Sequence, residues 1–151
     1  MTTNKFRLWK LASDPERPWE RRCEDPRGVL FQLVSGESFR HLGIVHCPVV
    51  SDGYRGRHAH RRKLEEFFVL SGTLAFFWRD LETGTHGRLE LAPGDRLSLR
   101  PGLAHAFKAL TEAVFVEFCP TPYDPTDVFP FDPLQPPEGW VPDPDFLRKP
   151  S

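Results

Sequence analysis

The sequence has no surplus of charge of either sign: 20 Lys and Arg stand against 21 Asp and Glu in 151 residues, a formal net charge of −1 with histidine neutral. Proteins that wrap nucleic acid or coat acidic membranes need a positive field over a broad face, so neither partner is expected. No stretch approaches the ~18 consecutive apolar residues of a membrane-spanning helix, and Met1-Thr2-Thr3-Asn4-Lys5-Phe6 leads into no apolar signal core. Cysteine is scarce and unpatterned. Cys23, Cys47 and Cys119 include no Cys-x-x-Cys pair, which argues against a disulfide framework and a cysteine-rich zinc site. Reduced thiols and a cytoplasmic location are expected, with Cys47 and Cys119 as small buried hydrophobes. No segment sustains a 3.6-residue hydrophobic period either, so helix should be nearly absent.

What the sequence does have is proline, phenylalanine and short apolar runs. Seven of the 16 prolines lie between Pro120 and Pro137. Residues without an N–H cannot build a central strand or a helix interior, so residues 121–151 read as an extended strap. Tyr123, Phe129, Phe131, Trp140 and Phe146 give that strap apolar anchors against the domain. Upstream, the runs Val29–Val34, Leu42–Val50, Phe67–Leu70, Thr73–Trp78, Arg88–Leu91, Arg96–Leu99 and Ala113–Cys119 are separated by turn pairs such as Ser71-Gly72, Pro93-Gly94 and Pro101-Gly102. Strand-sized pieces at this spacing predict an all-β sandwich or barrel. The domain reading is an N-terminal arm over 1–24, a barrel over 25–120 and the tail over 121–151.

The chemistry concentrates in His58-Ala59-His60 and Glu65. On a strand, side chains two apart share a face about 6–7 Å apart, so two imidazoles can converge on one ion. If the next strand starts at Glu65, this carboxylate points inward with Phe67 and Val69, and Glu66 points the other way. Further on, Leu97 and Leu99 face inward, and the Pro101-Gly102 turn delivers His105, expected opposite the first pair. Three imidazoles and a carboxylate suit Zn²⁺, Fe²⁺, Mn²⁺, Co²⁺ or Ni²⁺, and ligand type alone does not choose among them.

These residues resemble a known family. His58-x-His60-x4-Glu65-x6-Gly72, followed by Gly94-x5-Arg100-Pro101-Gly102-x2-His105, is similar to the paired motifs of the cupins. Gly53 stands five rather than six before the first histidine, and Arg100 replaces a frequent proline; neither is a ligand position. The resemblance covers about residues 25–127. It implies a single cupin jelly-roll β-barrel in which His58, His60, Glu65 and His105 hold one divalent metal ion, zinc foremost.

Asp25-Pro26-Arg27-Gly28, Arg55-Gly56-Arg57-His58-Ala59-His60 and Tyr123-Asp124-x-x-Asp127 narrow the resemblance to cupins that modify nucleotide-linked 4-keto-6-deoxy sugars. These are the dTDP-4-keto-rhamnose 3,5-epimerases, the sugar 3,4-ketoisomerases and the cupin domain of capsular-polysaccharide reductases. The resemblance implies an isomerase or epimerase on a sugar nucleotide, with a place in polysaccharide biosynthesis. It makes His58 the catalytic base of a metal-free version and Tyr123 a proton donor on the opposite face, or else a tail anchor. Arg27 and Arg55 become the diphosphate contacts, guanidinium being suited to bidentate phosphate binding. Two other readings stay open: a metal-dependent dioxygenase or other small-molecule cupin enzyme, and a non-catalytic ligand-binding cupin.

Arg57, Arg61, Arg62 and Lys63 read as a solvated charged hairpin. Glu117 reads as an outward residue on a strand with one wet face, the alternative being a pocket carboxylate. Both faces of Phe67-Phe68-Val69-Leu70 and Leu74-Ala75-Phe76-Phe77-Trp78 are apolar, so the outer face needs cover from the tail or from a second subunit; a homodimer is expected.

Overall fold

The computed structural model describes residues 2–11 and 20–150. Part of the expected N-terminal arm, residues 12–19, lies outside them. Strands numbered along the chain form two five-stranded antiparallel sheets. The first runs in the order β1 (Phe6–Lys10), β9 (Asp95–Leu99), β6 (Glu65–Ser71), β11 (Ala113–Cys119), β4 (His41–Cys47). The second runs β12 (Phe129–Pro130), β5 (Tyr54–Ala59), β10 (Leu103–Ala109), β7 (Leu74–Asp80), β8 (His86–Leu91). A separate hairpin joins β2 (Arg21–Asp25) to β3 (Gly28–Gln32). From β4 to β11 the chain changes sheet at every connection except β7 to β8, which is the winding of a jelly roll. Among the described residues, helix is limited to the 3₁₀ turns Pro125–Asp127 and Phe146–Arg148.

The seven apolar runs reappear as β3, β4, β6, β7, β8, β9 and β11, displaced at their ends by at most three residues. Four strands were not anticipated, one of them β10, which follows the Pro101-Gly102 turn and carries His105. Every residue of β2 is exposed, so its sequence carries no alternation to read. The other two, β1 and β12, are edge strands set by their pairing with β9 and β5.

Inward side chains of both sheets share one core, which includes Phe67, Val69, Leu97, Leu99 and Phe115 from the first sheet and Leu74, Phe76, Trp78 and Phe107 from the second. The outer face of β6 and β11 is covered as well, by Phe31, Leu33 and Val34 packed on Phe68 and Phe118. The tail covers the other sheet, where Phe131, Trp140 and Phe146 pack on Ala59, Leu81 and Ala104. Arg61 stacks on the rings of Phe129 and Phe146 and donates to the Phe146 carbonyl, fastening the strap beside the histidine segment. No helix among the described residues is long and apolar enough to cross a membrane.

Candidate functional site

Glu65 opens β6 with its side chain inward, as the alternation of Phe67 and Val69 requires. His105 lies on β10 in register with His58 on β5. It therefore sits beside the first pair on a neighbouring strand, not opposite, because the jelly roll makes β5 and β10 adjacent; the residue that faces them from the other sheet is Glu65. A bulge in β5 aims this segment. Gly56 has φ +87° and Arg57 φ +56°, the register slips at His105/Ala106, and a Cβ at Gly56 would lie 2.8 Å from the His105 carbonyl. Only glycine fits there.

The rings of His58 and His60 are 4.7 Å apart, those of His58 and His105 4.9 Å, and those of His60 and His105 6.2 Å. His60 Nε2 lies 3.4 Å from Glu65 Oε1, and His105 Nε2 lies 3.3 Å from Glu65 Oε2. Two backbone carbonyls fix the tautomers. His60 Nδ1 donates to Asp127 O at 2.5 Å and His105 Nδ1 to Leu103 O at 3.1 Å. In the neutral rings both Nε2 lone pairs then point at an anionic carboxylate, an arrangement that repels unless a proton or a cation lies between.

Burial, followed by the charge of His105, pushes the pKa of His58 down to about 3. Burial also lowers His105, against the pull of Glu65. His60 is held above its ordinary value: burial opposes its proton, but Glu65 and the Asp127 carbonyl outweigh it. Burial likewise opposes ionisation of Glu65, yet the facing His105, His60 and Lys63 keep its carboxyl well below the usual range.

The donor set fits a divalent metal. One ligand atom each from His58, Glu65 and His105 lies within 4.8 Å of the others. His60 Nε2 is buried without a hydrogen-bond partner, an orphan that a metal would satisfy. Its other nitrogen is held by a carbonyl, as metal-bound histidines usually are.

A cavity of about 280 Å³ opens beside this cluster. Arg55 and Tyr123 line it, although Tyr123 is 62% exposed. Arg27 is not brought there. It sits in the turn of the β2–β3 hairpin, 90% exposed and paired with Asp25 at 2.6 Å. Two residues assigned to solvent are instead in the wall. The amine of Lys63 lies 3.3 Å from Glu65 Oε1 with its side chain mostly buried. Glu117 lines the cavity and bonds His41 Nε2 at 3.1 Å. Its parity was readable, because Glu117 shares a face with the buried Phe115. Asp127 is the residue whose role no spacing revealed. Its carboxylate accepts from the amides of Arg61, Arg62 and Lys63 at 2.8, 3.0 and 3.0 Å, while its carbonyl holds His60.

The sequence matches no family model and no curated protein. Solved structures do match in fold. One is the 3,4-ketoisomerase QdtA from Thermoanaerobacterium thermosaccharolyticum in complex with TDP, at 18% identity and TM-score 0.67, over 85% of this chain and 89% of that one. A second is the dTDP-4-dehydrorhamnose 3,5-epimerase from Sulfolobus tokodaii, at 19% identity and TM-score 0.67, over 85% and 77%. A third is ChmJ, a 3'-monoepimerase from Streptomyces bikiniensis in complex with dTDP-quinovose, at 15% identity and TM-score 0.68, over 85% and 70%. The chain has the cupin jelly-roll fold of these proteins.

Proposed function

We propose that the protein is a metal-binding isomerase or epimerase acting on a nucleotide-linked 4-keto-6-deoxy sugar. The observation that carries this reading is the open cavity walled by four histidines, two glutamates and a lysine inside a fold shared with enzymes of that chemistry. The cavity speaks against a module that works only by attachment through its outer surface, which predicts a filled interior beside the histidines. At about 280 Å³ the cavity is at the small end for a ligand site, so it takes the sugar ring and leaves the diphosphate at the mouth, where Arg55 is exposed.

Isomerisation next to a ketone removes an α-proton, which requires a base and a group that stabilises the developing enolate oxygen. His58, His60, Glu65 and His105 would hold a divalent metal, with zinc the first candidate, which when bound would supply a Lewis acid for that oxygen. Lys63, fixed by Glu65, adds a positive charge in the same wall. Burial opposes that charge, but Glu65 and the other nearby anionic groups raise the pKa of the amine and keep it protonated. His58 serves as base only in a metal-free site, since one imidazole lone pair cannot both bind a metal and accept a proton. Tyr123 at the mouth is the proton donor for the opposite face of the sugar.

A homodimer belongs to this reading: exposed Leu30 and Leu42 line one apolar depression, Ile44, 75% exposed, continues the outward face of β4, and a second copy would cover them. The free cysteines accord with a reducing, cytoplasmic setting.

Incubation with TDP-4-keto-6-deoxyglucose in D₂O tests the function. Deuterium should enter a carbon next to the ketone, and metal analysis should find one equivalent in the native chain and far less in His60→Ala. Absence of exchange with every 4-keto sugar nucleotide tried would sink the reading.

A further inference from the structure

The cavity holds a second imidazole–carboxylate pair that the metal reading leaves without a task. On β4 and β11 the odd-numbered residues face inward, which puts His41, Gly43, Val45, Phe115 and Glu117 on the cavity side. Glu117 is in register with Gly43, and its carboxylate reaches along β4 to bond His41 Nε2 at 3.1 Å. The missing side chain at position 43 is what makes room: a Cβ there would stand 2.8 Å from Glu117 Oε1. The strand order places β4 two strands from β6, so the pair sits roughly 9–10 Å across the sheet from the Glu65 strand. A sugar ring fits in that gap, between the His58/His60/His105 cluster and His41.

We infer that His41, oriented by Glu117, is the base that takes the α-proton in this site. The inference rests on the proposed isomerase or epimerase function. It answers a difficulty within it, since His58 cannot be a base while it binds a metal. A carboxylate accepts only from N–H, so the proton of the neutral imidazole lies on Nε2 and the lone pair on Nδ1. Nδ1 has no hydrogen-bond partner among the described residues. In the step, the C–H bond next to the ketone breaks and its proton forms an N–H bond at Nδ1. The electron pair becomes the C=C of the enolate, and the ketone oxygen takes up the negative charge facing the opposite wall. Returning the proton from Nδ1 to the same carbon, or to the former carbonyl carbon after the hydroxyl proton has moved between the two oxygens, regenerates neutral His41. No oxidant, reductant or co-reactant enters. The imidazolium formed in between is stabilised by Glu117.

The test compares native protein with His41→Asn, His41→Ala, Glu117→Gln and Gly43→Ala. Four quantities are read: solvent deuterium incorporation into TDP-4-keto-6-deoxyglucose, TDP binding by calorimetry, metal content and thermal unfolding. His41→Asn should lower exchange by about 100-fold or more, and Glu117→Gln by at least about tenfold. TDP affinity and metal content should stay within about twofold in both. Gly43→Ala, whose Cβ would crowd the Glu117 side chain at Cγ and Oε1, should reproduce the Glu117→Gln loss without a charge change and decides the matter if the histidine variants unfold. Added imidazole should restore part of the exchange to His41→Ala and none to Glu117→Gln, a response that a merely structural histidine would not give. Exchange in His41→Asn within about threefold of native, or a loss matched by lost TDP binding, overturns the role of the pair while leaving the function standing. A native protein that exchanges no 4-keto sugar nucleotide overturns both.

Discussion

Asp127→Ala is the substitution whose cost can be worked most directly. The carboxylate is 3% exposed and accepts three backbone amides, those of Arg61, Arg62 and Lys63. Bonds to a charged acceptor contribute roughly 1.5–3 kcal/mol each. The 61–63 turn is partly solvated, and water entering the void would recover about half of that, leaving a net loss of about 3 kcal/mol. With a urea m-value of about 2 kcal/mol/M for a chain of this size, the unfolding midpoint should fall by about 1.5 M. Asp127→Asn keeps one acceptor but turns an amide donor toward the remaining N–H groups, so it should lie between Ala and native. The assay is urea unfolding followed by tryptophan fluorescence, together with metal content, which should drop because the turn carries Lys63 and adjoins His60. A midpoint within about 0.3 M of native in Asp127→Ala would refute the claim that this tail carboxylate organises the site.

Thiol labelling of the native chain at pH 8 should modify one cysteine, the exposed Cys23, and denaturant should release all three; burial raises the thiol of Cys47 and pushes that of Cys119 up to about 11. Two fast thiols in the native chain would contradict this. In metal-free protein, stability should fall as pH drops below about 6.5. His58, held near 3, and His105, also lowered, accept protons less readily folded than unfolded, while His60, raised, is protonated in both states below 6.5 and leaves the slope there unchanged. The slope from the two lowered groups is at most about 2.7 kcal/mol per pH unit. The depressed carboxyl of Glu65 contributes stability that is present above its ordinary 4.5 and begins to be lost only as pH falls below it. A urea midpoint unchanged between pH 7.5 and 5 would disprove the histidine contribution. Leu42→Asp with Ile44→Asp should convert a dimer to a monomer by light scattering, and a native chain already monomeric at micromolar concentration would eliminate the dimer.

The sequence by itself determined the all-β architecture, seven strand positions within three residues, the inward parity of Glu65, Phe67 and Val69, and the four residues His58, His60, Glu65 and His105 that meet at one end of the cavity. These are local properties: period-two alternation reports which face of a strand is buried, and short motif spacings report which residues leave a turn together. Strand adjacency is not local. That His105 lies beside His58 instead of across from it, that Glu117 meets His41 over Gly43, that Lys63 reaches Glu65, and that Arg27 is carried away on a separate hairpin all follow from which strands become neighbours. Asp127 shows the same division at longest range. It is 64 residues from Lys63, and nothing in the spacing of either segment states that the tail folds back to hold the turn. Pairing over such separations is selected by the total burial and hydrogen bonding of the finished sandwich, a sum that only the tertiary structure evaluates.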